Sequence, residues 1–428
     1  MAKQLPKKQL PVAKNVGTDV LGQESSGSFP FWKPVFLFLA SSMVIATYYA
    51  GTSHDEKAVA GFSAYFLTML VLYGTWKTWT ILSGRKEVSY SPLSVIGFAI
   101  GHLAILCAFF PFPAGYSGAG FVLLFKILGF LALPAAIVAG TSAFGTWALR
   151  KAIPEFDAKS REFRIIGGMS FGLASYLFIL SVVTSTFGYS LVTTIFPLVA
   201  LSALGWREIG EFAVGMTKPA FKFDNHKGSD GVAKAVALPL ISTEWLFLVL
   251  TFLIGVNFIN VVRPMPIGWD DLGVYMNYPK IMAETGEIGR LGTVAWQTLT
   301  GIGFLFKSAP QAFFINQIGG ILSVVIIALA ASRLFSFEGA GKRYLNLPLL
   351  FAVATYAMPM IVFQQAKDMK LDPGLLCITT AALFFLYEAA FRRGEHAKDL
   401  WKTFALAGFL AGVAFSIKAT TLMLFLGG

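Results

Sequence analysis

The chain has 428 residues, of which 56% are hydrophobic and 13% charged, and its mean hydropathy is +0.67. Soluble domains carry about 25% charged residues, so the composition excludes a soluble globular protein. The net charge of +11 does not indicate nucleic-acid binding, because the basic residues are distributed as in a membrane protein. Apolar runs of about 20 residues recur, which predicts an all-α, polytopic transmembrane helical bundle.

The N-terminal segment, residues 1–30, is polar and contains Lys3, Lys7, Lys8 and Lys14 without an apolar core. A cleavable signal peptide needs such a core, so we predict a disordered cytoplasmic tail instead. Both cysteines of the chain fall inside apolar runs, which argues against a disulfide framework or a metal cluster.

Eleven segments are apolar and long enough to be candidate membrane spans. They are approximately 31–50, 60–83, 92–110, 119–149, 165–185, 187–205, 240–262, 309–332, 347–364, 373–391 and 403–421. The fourth is overlong and contains Pro134, so we expect it to be kinked or tilted. The boundary between the fifth and the sixth depends on Gly188 and a short, weakly polar stretch.

The orientation of the chain follows from its basic residues. With the N-terminus in the cytoplasm, twenty-five of the 34 Lys and Arg residues lie on the inner side. The other nine lie outside: Lys57, Lys126, Arg263, Lys280, Arg290, Lys307, Lys367, Lys370 and Lys418. Basic residues favour the cytoplasmic side, so this asymmetry predicts a multi-pass protein of the plasma or inner membrane with its N-terminus inside.

We divide the chain into the tail, an N-terminal six-helix membrane region at 31–220, and a C-terminal membrane module at 240–428. The six-helix region has little charge on its outer side, and its role stays open between lipid binding, a partner interface and a donor groove. Two small-xxx-small pairs, Gly168/Gly172 and Gly408/Gly412, are of the kind that permits close helix packing or arises by chance.

A polar-containing interval at 263–308 follows the seventh span. Arg263-Pro264-Met265-Pro266 ends that helix, because proline cannot continue it. Lys280 and Glu284 have helical i, i+4 spacing, and Pro279 predicts an interruption between two short helices. Residues 293–306 are apolar but short, which predicts an element lying along the membrane surface.

Carboxylates and cations from three separated segments share the predicted outer side. Asp270 and Asp271 lie in the first segment, the loop 365–372 is the second, and Lys418 ends the last span. Paired carboxylates beside a membrane span are costly unless they are solvated, paired or used, so we expect these groups to converge on one site.

The motif Trp269-Asp270-Asp271-Leu272-Gly273-Val274-Tyr275 resembles the first external loop of GT-C superfamily membrane glycosyltransferases. The branch it resembles contains the protein mannosyltransferases and aminoarabinose transferases. Lys370-Leu371-Asp372 before an apolar helix resembles the family's second acidic position, and the run 412–421, which contains Lys418, resembles its later helix ending in lysine. The resemblance covers about 240–428, and it implies a module that lacks the family's C-terminal part.

The resemblance implies transfer of a sugar from a polyprenyl-phosphate donor to an acceptor on the external or periplasmic face. Asp270 matches the general base, which takes the proton of the attacking hydroxyl. Asp271 and Asp372 are expected to orient the acceptor or hold a divalent cation, and metal dependence stays open. Expected contacts to the donor phosphate or substrate come from Lys418, Lys280, Lys370 and Tyr275.

Simpler interpretations stay open for each of these residues. Asp270 and Asp271 also suit a helix N-cap, and Asp372 before Pro373 suits a helix start. Lys418 also suits a lysine that snorkels to the interface. His102, within the third span, is interpreted as a packed, hydrogen-bonded residue rather than a ligand.

The expected partners are the lipid-linked sugar, membrane lipids and, as an open alternative, another membrane protein; no nucleic acid is expected. The rival classes are a transporter or lipid flippase and a noncatalytic membrane subunit. A transporter predicts ionisable residues near the bilayer midplane, and the sequence has few there.

Overall fold

The structure is a computed structural model, and it describes part of the chain. The described residues are 63, 65–75, 87–109, 120–218, 221–224, 243–262, 274–288, 294–334, 346–358, 369–391 and 398–421. The N-terminal tail, the predicted span 31–50 and the carboxylates of Asp270 and Asp271 lie outside these residues.

The described residues are almost entirely helical, as the composition predicts. The helices are α1 (Tyr65–Thr75), α2 (Pro92–Phe109), α3 (Phe121–Ala152), α4 (Arg161–Phe187), α5 (Leu191–Leu204), α6 (Trp206–Thr217), α7 (Thr243–Val261), α8 (Asn277–Thr285), α9 (Ala295–Thr300), α10 (Ile302–Leu305), α11 (Ala309–Leu334), α12 (Asn346–Ala357), α13 (Asp372–Phe391) and α14 (Leu400–Ile417). A short antiparallel pair joins β1 (Glu87–Tyr90) to β2 (Phe221–Asp224).

Ten of the eleven predicted spans include described residues, and each of these ten positions contains a helix. Six helices are long and apolar enough to cross a membrane: α2, α3, α4, α11, α13 and α14. The pair α5 and α6 passes the same test together, but it is bent by 73°. The helices α1, α7 and α12 are apolar and shorter. The described part is therefore a helical membrane bundle with six or seven candidate spans rather than a demonstrated eleven.

One hydrophobic core joins the two regions that the sequence divided at about 220–240. Its buried residues include Phe163 and Leu177 of α4 together with Ile378 of α13 and Leu410 of α14. A second cluster packs α1, α2 and α3 against α7 and α11. The functional division stays a prediction, but the helices on its two sides pack into common cores.

The turn between α4 and α5 confirms the boundary at Gly188. This glycine has φ 81°, in the left-handed region that favours a residue without a Cβ. Ser190 then caps α5 by accepting a hydrogen bond from the backbone N–H of Thr193, whose hydroxyl accepts from the N–H of Ser190. The overlong fourth segment forms one helix that continues through Pro134.

The two glycine pairs have different surroundings. A Cβ at Gly172 would overlap the carbonyl oxygen of Thr141, and one at Gly168 would overlap the hydroxyl of Thr146. This pair therefore permits the close packing of α3 on α4. Gly408 and Gly412 on α14 face open space, so the motif has no packing role there in the described structure.

Residues 277–305 correct one prediction for the interval after the seventh span and show the surroundings of a second element. Pro279 does not interrupt a helix: it lies in the first turn of α8, where its missing N–H breaks no helical hydrogen bond. All residues of α9 are buried, and this helix packs against α4, α8, α11 and α14. The element predicted to lie along the membrane surface is thus enclosed by neighbouring helices.

Long-range contacts agree with the predicted alternation of the spans. Lys398 Nζ lies 2.8 Å from Glu155 Oε1, so the α3–α4 turn and the α13–α14 turn share one end of the bundle. Six predicted spans separate Glu155 from Lys398. An even number of crossings returns the chain to the side from which it started. If the other predicted spans all cross the membrane, the interval containing α9 does not add a crossing.

Candidate functional site

Asp372 and Lys418, two of the groups that the sequence analysis expected on one side of the membrane, meet in the structure. Lys418 Nζ donates a hydrogen bond to Asp372 Oδ1 at 2.7 Å. The side chains are 37% and 23% exposed, respectively, so the pair remains accessible to a ligand.

Local structure explains why these two residues occupy adjacent helix ends. Asp372 is the first residue of α13, and Pro373 follows it in the first turn, where a missing N–H breaks no helical hydrogen bond. Lys418 is the C-cap of α14, and its backbone N–H donates to Ala414 O. A carboxylate at a helix N-terminus and an ammonium at a C-terminus each complement the helix dipole.

A buried polar chain fixes the loop that precedes Asp372. The side-chain amide of Asn316 donates to Lys370 O at 3.3 Å and accepts from the indole N–H of Trp296 at 2.7 Å. Trp296 and Asn316 are 1% and 0% exposed. These hydrogen bonds link α9 and α11 to the loop that leads to Asp372.

Close packing of the same tryptophan explains the glycine after Pro373. A Cβ at Gly374 would overlap the indole ring of Trp296, so only glycine allows the first turn of α13 to lie against this ring. The Ser323 hydroxyl lies 3.2 Å from Pro373 O and holds the same turn to α11. The position of Asp372 is thus fixed from two helices.

The α4–α5 turn is tied to the region around α8 and α9. The backbone N–H of Tyr189 donates to Gly286 O, and its hydroxyl donates to Thr298 O, both at 2.7 Å. Because Trp296 of α9 lies against Gly374, and the neighbouring Asp372 bonds Lys418, the turn, α8, α9 and the Lys418 end of α14 belong to the same end of the bundle.

The structure assembles only part of the predicted site. Tyr275 is partly buried and packs against both main hydrophobic clusters. Lys280 is half exposed, and its Nζ lies 3.8 Å from Glu284 Oε1. Lys370 lies two residues before Asp372, with its carbonyl held by Asn316. The relation of Asp270 and Asp271 to these groups stays a prediction.

The predicted metal site was assessed on the described residues. Among those residues, no three His, Cys, Asp or Glu side chains converge in an arrangement that could hold a metal ion. The predicted cation between Asp271 and Asp372 depends on a residue outside the described ranges, so it stays a prediction.

The interpretation of His102 as a packed residue is confirmed. The imidazole is 3% exposed and contacts the hydroxyls of Tyr65 and Thr251, the latter at 2.7 Å from Nδ1. The hydroxyl of Thr251 also lies 2.9 Å from Phe247 O. These contacts join α1, α2 and α7, which is a structural role.

Ion pairs gather at the opposite end of the bundle. Arg150 of α3 bonds Asp157 and Glu211 at 2.9 Å, and it also bonds Glu208. Lys398 donates to Glu155, and this hydrogen bond with its charge lowers the pKa of the Glu155 carboxyl. The two ends therefore differ: one has this set of paired charges, and the other has the Asp372–Lys418 pair.

The fold and the site define the protein as a multi-span helical membrane protein with an accessible ion pair at one end of its bundle. No protein-family model, no curated protein and no solved structure matches the chain. The class is therefore supported by the structure, and a more specific function is a proposal.

Proposed function

We propose that the protein is an integral-membrane glycosyltransferase that moves a sugar from a polyprenyl-phosphate donor to an acceptor on the external face. The observation that carries this proposal is the meeting of Asp372 with Lys418. These residues are 46 positions apart, and the resemblance independently assigned both to the active site.

Lys418 has the properties required to stabilise the leaving phosphate. Its ammonium is fixed at a helix end, is partly exposed, and has Asp372 as a partner that holds it in place. Negative charge develops on the polyprenyl phosphate as the sugar leaves, and a preorganised cation lowers the energy of that state. Lys280 and Lys370 add positive charge to the segments of this end of the bundle.

Asp270 is proposed as the general base for the acceptor hydroxyl. Direct displacement at the anomeric carbon needs one such base, and the acceptor oxygen forms the new bond as the phosphate oxygen departs. Asp271 is proposed to orient the acceptor, or to hold a divalent cation with Asp372. Tyr275, partly buried between the two clusters, is proposed to line the substrate site.

The charge distribution supports an external location for this site. The end with Arg150, Lys398 and their partners contains segments predicted to be cytoplasmic. The Asp372–Lys418 end is then the outer one, where a lipid-linked sugar is accessible from the side of the bilayer.

No observation in the described residues favours the transporter alternative. Asn257 is paired across helices with the hydroxyl of Tyr356 at 2.8 Å, and the buried ion pair Arg333–Glu388 lies near the ends of α11 and α13. A transporter would need ionisable groups that line a central path.

The test measures sugar release from a radiolabelled polyprenyl-phosphate donor by the purified protein. We expect turnover by the native chain, loss of turnover in Asp270→Asn with donor binding retained, and weaker donor binding in Lys418→Met. Lys151→Met is the matched control, since it removes an exposed cation at the opposite end of the bundle. A folded native protein that fails to bind the donor would contradict the proposal.

A further inference from the structure

Helix α6 is amphipathic and almost entirely exposed. None of its residues is buried, although it packs beside α2 and α3. Its apolar residues recur at helical spacing and include Trp206, Ile209 and Phe212, of which Trp206 is 65% and Phe212 62% exposed. A soluble surface rarely leaves such large side chains together on one helix face.

The charged residues of α6 lie on the other side and fix the helix to the bundle. Glu208 and Glu211 both bond Arg150 at the end of α3, with Glu211 Oε2 2.9 Å from Nη1. The guanidinium carbon of Arg207 lies 5.7 Å from the ring centroid of Trp206. The polar side is thus anchored by ion pairs, and the apolar side is left without a protein partner in the described structure.

The bend from α5 sets the direction of α6. The two helices make an angle of 73° at Gly205, so α6 runs nearly across the axis of the apolar helix before it. With 12 residues, α6 is about 18 Å long, too short to cross a bilayer. If α5 runs along the membrane normal, the 73° bend sets α6 close to the membrane plane.

Exposed apolar residues continue along the chain from α5 into α6. Phe196 and Val199 of α5 are 69% and 57% exposed, in a helix of the membrane bundle where such residues face acyl chains. Leu204 and Trp206 continue this series across the bend. Lipid that covered the exposed side chains of α5 would therefore meet further exposed apolar residues at the start of α6.

We propose that α6 is an interfacial helix whose apolar face is covered by the phospholipids of the bilayer. It lies at the boundary between headgroups and acyl chains, with its apolar side chains immersed to a depth of about 5–10 Å. Trp206 suits this boundary, and Arg207 extends from it toward the headgroups. The charge distribution assigns the helix to the cytoplasmic leaflet. The surface does not depend on the glycosyltransferase proposal.

Site-specific fluorescence quenching in phosphatidylcholine nanodiscs tests the lipid contact. A fluorophore is attached at Phe212→Cys on the apolar face, and the matched control is Arg207→Cys on the polar side. The two native cysteines, Cys107 and Cys377, are buried, and native protein treated with the same thiol reagent measures their background. We expect doxyl-labelled lipid to quench the Phe212 position several-fold more than the Arg207 position, and aqueous iodide to show the opposite order.

Two results would overturn the proposal. Equal quenching of both positions by iodide would show that the apolar face is in water. Protection of the Phe212 position from both quenchers, with cross-linking between copies, would show that protein covers this face. Ala213→Cys provides a second apolar-face position, so that loss of one aromatic side chain does not decide the outcome.

Discussion

The carboxylate of Glu388 is completely buried on α13, and both its oxygens face the guanidinium of Arg333 on α11. The two nitrogen–oxygen distances are 3.1 and 3.3 Å. Glu388 has no exposed surface, and the Arg333 side chain is 13% exposed. A paired, buried charge is costly to separate because the remaining group loses its compensation.

We therefore predict that Glu388→Ala lowers the free energy of unfolding by about 3–5 kcal/mol. The double variant Arg333→Met/Glu388→Met, which removes both charges, should be more stable than the single variant. Thermal unfolding in detergent, followed by gel-filtration fluorescence, measures the difference. Removing Glu284 from the exposed pair with Lys280 is the control, with an expected effect of less than about 1 kcal/mol. A double variant as unstable as Glu388→Ala would contradict the explanation.

Residue patterns predicted the meeting of Asp372 and Lys418 but not what holds them in place. Each lies at the end of an apolar run, and the alternation of spans assigned them to one side. Asn316 and Trp296 were missed, because their bond depends on how α9 packs against α11. A polar asparagine within an apolar helix is a signal that could have identified the first of them.

At the scale of elements, the close packing of α3 on α4 depends on Gly172 and Gly168. The carbonyl of Thr141 and the hydroxyl of Thr146 occupy the space that a Cβ would need. Because the first of these is backbone, the helices must separate before a larger residue fits.

We predict that Gly172→Ala lowers the free energy of unfolding by about 1–3 kcal/mol through overpacking. Gly412→Ala is the matched control, because it places the same methyl group in open space and favours helix formation. Thermal unfolding of the two variants in a bilayer mimetic measures both losses. Their difference separates the effect of packing from that of helix propensity. Equal losses in both variants would refute the packing argument.

The sequence predicted most helices but not the form of α6 and α9. Apolar residues recur at helical spacing within residues 206–216. The sequence analysis used this segment only to count basic residues on the cytoplasmic side of the membrane. The short apolar run containing α9 was predicted to lie along the membrane surface. Its burial could not be deduced, because enclosure depends on α4, α11 and α14 arriving from distant parts of the chain.

At the scale of the whole molecule, contacts between distant segments constrain which helix ends share a face. The pairing of β1 with β2 and the pair Lys398–Glu155 each join segments that the charge count assigns to the cytoplasm. The Asp372–Lys418 pair joins segments assigned to the exterior. These contacts and the charge asymmetry therefore predict the same topology.

Cysteine accessibility tests this topology at two exposed positions. In intact cells, a membrane-impermeant thiol reagent should label Glu287→Cys, which lies beyond α8. It should label Ala158→Cys, in the α3–α4 turn, only after the membrane is permeabilised. Labelling of both positions from the same side would contradict the predicted arrangement.

The shared core has a consequence for how the protein is made. Glu155 meets Lys398 across 243 residues of sequence, and α4 packs against α13 and α14. At ribosomal rates of about 5–20 residues per second, α4 waits roughly 10–50 s for these helices. During that interval we expect lipid or the insertion machinery to cover the side of α4 that later packs against α13 and α14.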